Sequence, residues 1–175
     1  MIEIDEKLFL ETANRVDDMS DGLGEATDKR GRESVYKAIG DTVDRYIANP
    51  VLEQAKARGR RHTGDRVETI HPVSGDWQAD VYTAGLRTTN EVVLAHEFGS
   101  GVHGGGGPYR IDPRPGREYL SFDVGGRPVH VEFVVHPGVR GQGFMRRAIK
   151  DNSDAMITDA VDSAMKALER ALGDR

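Results

Sequence analysis

The stretch GREYLSFDVGGRPVHVEFVVHPGVRGQGFMRRAIKDNSDAMITDAVDSAMKALERAL, residues 116–172, changes its hydrophobic period in the middle. Residues 118–124 and 128–135 read as two strands. Gly125-Gly126 between them is a good two-residue hairpin turn. At His136-Pro137-Gly138 the proline restricts His136 to an extended conformation and ends the strand, and the glycine then allows a sharp bend. From residue 143 to 172 the period becomes helical. Ile149, Met156/Ile157, Ala160/Val161, Ala164/Met165, Leu168 and Leu172 fall on one face, and Asp151, Asp154, Asp159 and Asp162 line much of the other. Phe144 stands where its ring can anchor the start of this helix in a core.

Working outward, helices are expected on the N-terminal side as well. Leu8, Thr12, Val16 and Met19 share a helical face between residues 5 and 19, and Gly22 and Gly24 break it. A second helix starts near Glu25 with Val35, Ile39, Val43, Tyr46 and Ile47 as its stripe. Asn49-Pro50 reads as an N-cap and first helical position, so residues 51–58 are either a new short helix or a continuation after a kink, ended by Gly59. Residues 66–71, 76–83 and 91–98 read as three strands of an antiparallel meander, with turns at 72–75 and 84–86. Residues 99–117, rich in glycine and proline, form a long loop of the kind that is usually functional or disordered. Strands bracketed by helices in blocks make the fold α+β, with about five antiparallel strands packed by a long C-terminal helix and N-terminal helices. The whole chain, 1–175, is read as one domain, with 1–24 as a helical extension.

Composition narrows the function. The chain has 175 residues, 37% hydrophobic and 30% charged, enough for one modest core. No cysteine is present, which removes disulfides, thiolate metal sites and cysteine nucleophiles. No apolar run approaches the roughly 20 residues of a membrane helix, and the acidic start MIEIDEKLFLE is unlike a signal peptide. A cytosol, or an assembly built in one, is the expected setting. The net charge of −5 argues against a chain that grips nucleic acid throughout. A basic cluster, Lys56, Arg58, Arg60, Arg61 and Arg66, lacks interleaved aromatics, so it is read as solvated or as pairing with acids of a neighbouring subunit.

Candidate chemistry is thin. His96-Glu97 opens like the zinc motif HExxH, but the string is HEFGS, the second histidine is missing, and His103 lies in the glycine-rich loop. The stretch also reads as strand, where HExxH needs a helix. Gly104–Gly107 lacks the lysine and the following helix of a phosphate-binding loop. His62, His71, His130 and His136 sit singly, and Ser74, Ser100 and Ser121 have no nucleophile-elbow context. No catalytic set, metal site or cofactor is expected. The alternative is a small metal-dependent or nucleic-acid-processing enzyme built on His96, Glu97 and His103. A third reading, a DNA-binding module, predicts salt-dependent binding to generic duplex.

Two stretches resemble the tail-completion (minor tail) proteins of long-tailed viruses. AKARGRRHTGDRVETI, residues 55–70, is similar to a Thr-Gly element of that family. The second runs from AHEFGSGVHGGGGPYRI, at 95–111, through GREYLSFDVGGRPVHVEFVVHPG to GVRGQGFMRRAIKDN. The matching positions are Glu97, Phe98, Gly99, Pro113, Gly116, Leu120 and Phe122, then His136, Pro137, Gly138, Gln142, Phe144 and Ala148. Gly143 stands where the family usually has proline, and the four-glycine insertion is unusual. The resemblance covers about residues 55–152. It implies a structural, non-enzymatic virion protein that forms a ring, typically a homohexamer, in the neck. The ring joins the tail tube protein to the head-completion connector, and DNA passes through its lumen without specific binding. Glu97, Phe98, Gly99, His103, Tyr109, His136, Pro137, Gly138, Gln142 and Phe144 are then the candidate subunit or neck contacts.

Overall fold

The computed structural model describes residues 29–78 and 81–173. The helix expected over 5–19 and the extension 1–24 lie outside these residues. The class is α+β, with helices, antiparallel strands and a long C-terminal helix packed on helices from the N-terminal half. The chain gathers into two compact units. One contains the described residues up to Thr89 and from Phe144 onward; the other is Asn90–Gly143.

The first unit is helical. Helix α1 (Lys29–Tyr46) passes through a π turn (Ile47–Val51) into α2 (Leu52–Thr63). Pro50 lies inside the π turn, so the chain continues as a helix and Asn49 does not cap a new one. A proline has no N–H for the α-helical ladder, and a widened turn absorbs that loss. Gly59 does not end α2, which runs to Thr63 and stops at Gly64, where φ is 58°. Gly59 is needed inside the helix because a Cβ there would come within 2.7 Å of the Phe144 ring and 2.9 Å of Val67. That closeness offsets the ~1 kcal/mol that glycine costs a helix.

The C-terminal helix α4 (Phe144–Gly173) packs on α1 and α2. Its Phe144, Met145, Ala148, Ile149, Met156, Ala160 and Ala164 are buried with Val35, Ile47, Val51 and Ala55. Polar contacts fix the register: Thr42 Oγ1 donates to Ser163 Oγ at 3.0 Å and the Tyr46 hydroxyl to Asp159 at 2.9 Å. Ascending α1 numbers meet descending α4 numbers, so the two helices run antiparallel.

The strand expected at 66–71 is a 3-10 turn, Gly64–Thr69. Val67 and Ile70, three apart, are the residues that go inside, which is the 3-10 period and not the strand period. The expected strand 76–83 is divided between two paired strands instead. Strands β1 (His71–Gln78) and β2 (Val81–Arg87) pair antiparallel, with Trp77 opposite Tyr82 and a register shift between Val73 and Asp76. The turns expected at 72–75 and 84–86 therefore lie within strands. Trp77 meets Tyr36 of α1 edge to face at 4.6 Å between ring centres and Tyr82 at 5.1 Å. Asp44 of α1 accepts from Gly75 N–H at 2.9 Å and bonds the Tyr82 hydroxyl. Burial, reinforced by that carboxylate, pushes the Tyr82 phenol up to about 12.

The second unit is built differently. The expected strand 91–98 is helix α3 (Glu91–Phe98). Asn90 caps it by accepting from Val92 N–H at 3.1 Å and Val93 N–H at 3.3 Å. A short apolar run such as VVLA cannot be assigned to strand or helix by period alone, and the cap decides. After a 3-10 turn (Gly101–His103) come β3 (Tyr109–Ile111), β4 (Leu120–Val124), β5 (Arg127–Val131) and β6 (Val134–His136). The hairpin expected across Gly125-Gly126 is present, with φ of 60° and 81° at the two glycines. The strand expected over 128–135 breaks after Val131, and its end, β6, pairs with β3 out of the glycine-rich loop. The described strands form three two-stranded ribbons, β1–β2, β3–β6 and β4–β5, in place of one five-stranded sheet.

Candidate functional site

Nine of the ten residues singled out in the sequence lie in the second unit, and the backbone joins two segments that carry most of them. Helix α3 ends at Gly99, and the chain crosses the segment that follows β6. Ser100 N–H donates to Val139 O at 2.9 Å, Val102 N–H to Pro137 O at 2.8 Å, Gln142 N–H to His96 O at 2.6 Å and Gly143 N–H to Glu97 O at 3.0 Å. The Ser100 hydroxyl accepts from Val139 N–H at 3.0 Å. Tyr109 pairs with His136 across the β3–β6 ribbon, their rings 5.4 Å apart. His136 Nδ1 accepts from Gly138 N–H at 2.9 Å, so the ring proton of the neutral imidazole sits on Nε2. His103 closes the 3-10 turn by donating its N–H to Ser100 O at 3.2 Å.

Glycine makes the crossing possible. Gly138 has φ of 104°, and a Cβ there would overlap the Ser100 carbonyl. Gly101, at φ 57°, faces the Pro137 carbonyl in the same way. The residues that sequence reasoning left out, Ser100, Gly101, Val139 and Gly141, are those where main chain meets main chain. The signal for them was the run of glycines at both ends of the crossing.

Phe144 is different. Its ring is fully buried in the first unit, beside Gly59 and Val67. It anchors the helix start and offers no free surface to a neighbouring subunit. Glu97 is also buried, while Phe98 is 49% exposed.

The basic cluster is largely engaged within the chain. Lys56 pairs with Glu68 at 2.9 Å, Arg60 with Asp65 at 2.7 Å and with Glu68, and Arg58 with Asp151 at 2.6 Å. Hydrogen bonds from Lys56 and then Arg60 hold the Glu68 carboxyl below the usual carboxylate range. Neighbouring-subunit acids are not needed to explain these three cations.

The helical state of 91–98 removes one objection to a zinc reading of His96-Glu97. The other stands: position 100 is serine, and among the described residues no three His, Asp or Glu side chains gather as a metal would require. Ser121 Oγ lies 2.8 Å from His130 Nδ1 on an exposed hairpin face. No helix among the described residues is long and apolar enough to cross a membrane.

The unit also wears its apolar residues outside. Among the described residues ten of fourteen exposed large hydrophobic side chains belong to Asn90–Gly143, including Phe98, Val102, Tyr109, Phe122, Val124 and Val135. Only Val93 and Glu97 of this unit are buried. Compared with known protein families, curated proteins and solved structures, the chain matches none of them.

Proposed function

We propose that this chain is a structural, non-catalytic tail-completion protein of a long-tailed virus. In this reading it assembles in the host cytoplasm into a ring, typically of six copies, and ends in the virion neck. The ring joins the tail tube protein to the head-completion connector, with DNA passing through the lumen. One observation carries the reading: the second unit keeps almost no apolar core of its own and exposes Phe98, Tyr109, Phe122, Val124 and their neighbours. That arrangement suits a part completed by other subunits, and the unit lies within the longer stretch that bears the family resemblance. The backbone crossing of 96–102 with 137–143 also suits a rigid base for loops that reach across subunits.

The test is negative-stain microscopy of particles produced without this protein. Filled heads beside separate, complete tails are the expected result. Normal infectious virions, or a defect confined to DNA replication, would overturn the proposal. The enzyme reading keeps one point in its favour, the helix under His96 and Glu97. It predicts stoichiometric zinc in the purified protein, lost on His96→Ala.

A further inference from the structure

The C-terminal helix carries an apolar stripe that the described residues leave open. The sequence offers doubled apolar positions along α4, and the fold buries one of each pair. Met156, Ala160 and Ala164 are buried, whereas Ile157, Val161, Met165, Leu168 and Leu172 stay partly or wholly open. Met165 is 42% and Leu172 43% exposed. At 3.6 residues per turn these five share one side of the helix, about a third of a turn from the buried row. A continuous strip of this kind is unlike the single exposed side chains that need no explanation.

The place of the stripe in the fold points to what covers it. Thr42 bonds Ser163 and Tyr46 bonds Asp159, so the antiparallel register carries the start of α1 to the end of α4. The described chain therefore begins, at Lys29, beside the Leu172 end of the stripe. Residues 1–28 precede it. Among them Leu8, Thr12, Val16 and Met19 follow one another at intervals of four, four and three. Ile157, Val161, Met165 and Leu168 repeat the same intervals. Two helices with matching rows can interleave them side by side over about 17 Å. Residues 20–28 include Gly22 and Gly24 and can turn the chain back. Fully extended they reach roughly 30 Å, well beyond the roughly 10 Å between neighbouring helix axes.

We infer that residues 5–19 of the same chain lie as a helix along this stripe, antiparallel to α1 and parallel to α4. Leu8, Thr12, Val16 and Met19 then meet Ile157, Val161, Met165 and Leu168. The tether and the shared intervals choose this occupant, and charge does not. Asp5 and Asp154 fall at the same end of the two rows, and Asp162, Lys166 and Glu169 give α4 a flank of mixed sign. Asp154 is exposed, so salt screens it. A segment joined by a short linker meets its site at an effective concentration in the millimolar range, which a separate molecule does not reach in dilute solution. The stripe is then withheld from any chain that does not displace the segment. This contact holds whether or not the chain completes a tail.

The chain has no native cysteine, so engineered pairs report cleanly. Met165 is exposed, and M165C leaves the buried core intact. Mild oxidation of the dilute full-length variant V16C/M165C should close an intrachain disulfide about tenfold faster than in D17C/M165C. The D17C thiol has the same tether but points about a quarter of a turn away. The V16C/M165C rate should not change with protein concentration, and mixed V16C and M165C single variants should give no dimer. A second readout needs no cysteine: Met165→Asp should speed tryptic cleavage after Arg15 several-fold. Equal closure rates for V16C and D17C would overturn the inference, and so would cleavage after Arg15 that Met165→Asp leaves unchanged. A disulfide formed as readily between the mixed single variants would also overturn it, by seating the segment of a second copy on the stripe. Ready dimerisation of M165C alone would do the same, by setting two α4 stripes face to face.

Discussion

The two units use opposite means of holding a chain in place. The first relies on side chains: Phe144, Met145, Ala148 and Ile149 of α4 close on Val51, Ala55 and Val67, and the main-chain bonds are mostly internal to helices. In the second, main chain bonds to main chain between segments some 40 residues apart, and the large apolar residues face out. A side-chain core is stabilised by area removed from water at about 25 cal/mol per Å². A backbone crossing gains only about 1 kcal/mol per hydrogen bond, but it fixes geometry closely. The first unit is therefore expected to carry global stability, and the second to hold a fixed backbone shape with its large apolar residues exposed.

The largest effect should come from the core. Phe144→Ala removes a fully buried ring and should cost about 3–5 kcal/mol of unfolding free energy, measured by denaturant titration. A loss under about 1 kcal/mol would mean that the helix start is not anchored as described. Next is Gly138→Ala, which combines a positive φ with overlap on the Ser100 carbonyl. It should cost about 1–3 kcal/mol. Amide hydrogen exchange should place the loss at Ser100, Val102 and Val139, while the α1 and α4 amides stay protected. Faster exchange everywhere would erase the contrast between the units.

Alkaline titration gives a smaller effect, confined to the first unit. The Tyr82 phenol is raised to about 12. Its protonated form is favoured on folding, so its contribution is fully present below the unfolded value of about 10 and fades as pH rises toward 12. Ultraviolet titration of the tyrosines should lose its latest step in Tyr82→Phe, while the rise at Tyr46, held up by its hydrogen bond to Asp159, remains. The smallest effect on stability should be Phe122→Ser, within about 0.5 kcal/mol of the parent because the ring is already exposed. Assembly should fall sharply in the same variant. A large stability loss there would mean that the hairpin face is part of a monomer core.

Some of this was legible in advance because period alone carries it. The 144–172 helix repeats its stripe over many turns, and Gly125-Gly126 sits between two alternating runs; no tertiary contact was needed to predict either. Short segments were different. VVLA at 92–95 and RVETI at 66–70 are too brief for a period to discriminate, and their states were decided by the Asn90 cap and by the burial of Val67 and Ile70. Gly59 looked like a stop and is a contact. For the candidate site, the motif residues were visible in the chain, yet nothing in it showed that 99–102 would bond to 137–139.

By itself the sequence determined the α+β class, the long C-terminal helix, the β4–β5 hairpin and the absence of cysteine chemistry. These follow from local periodicity, turn residues and composition. Only the tertiary structure decided that the described strands form three ribbons and that His96-Glu97 lies at the end of a helix. It also decided which half of each apolar pair on α4 is buried. Those choices depend on which distant surfaces meet, and such meetings are set by packing and backbone hydrogen bonds between segments far apart in the chain.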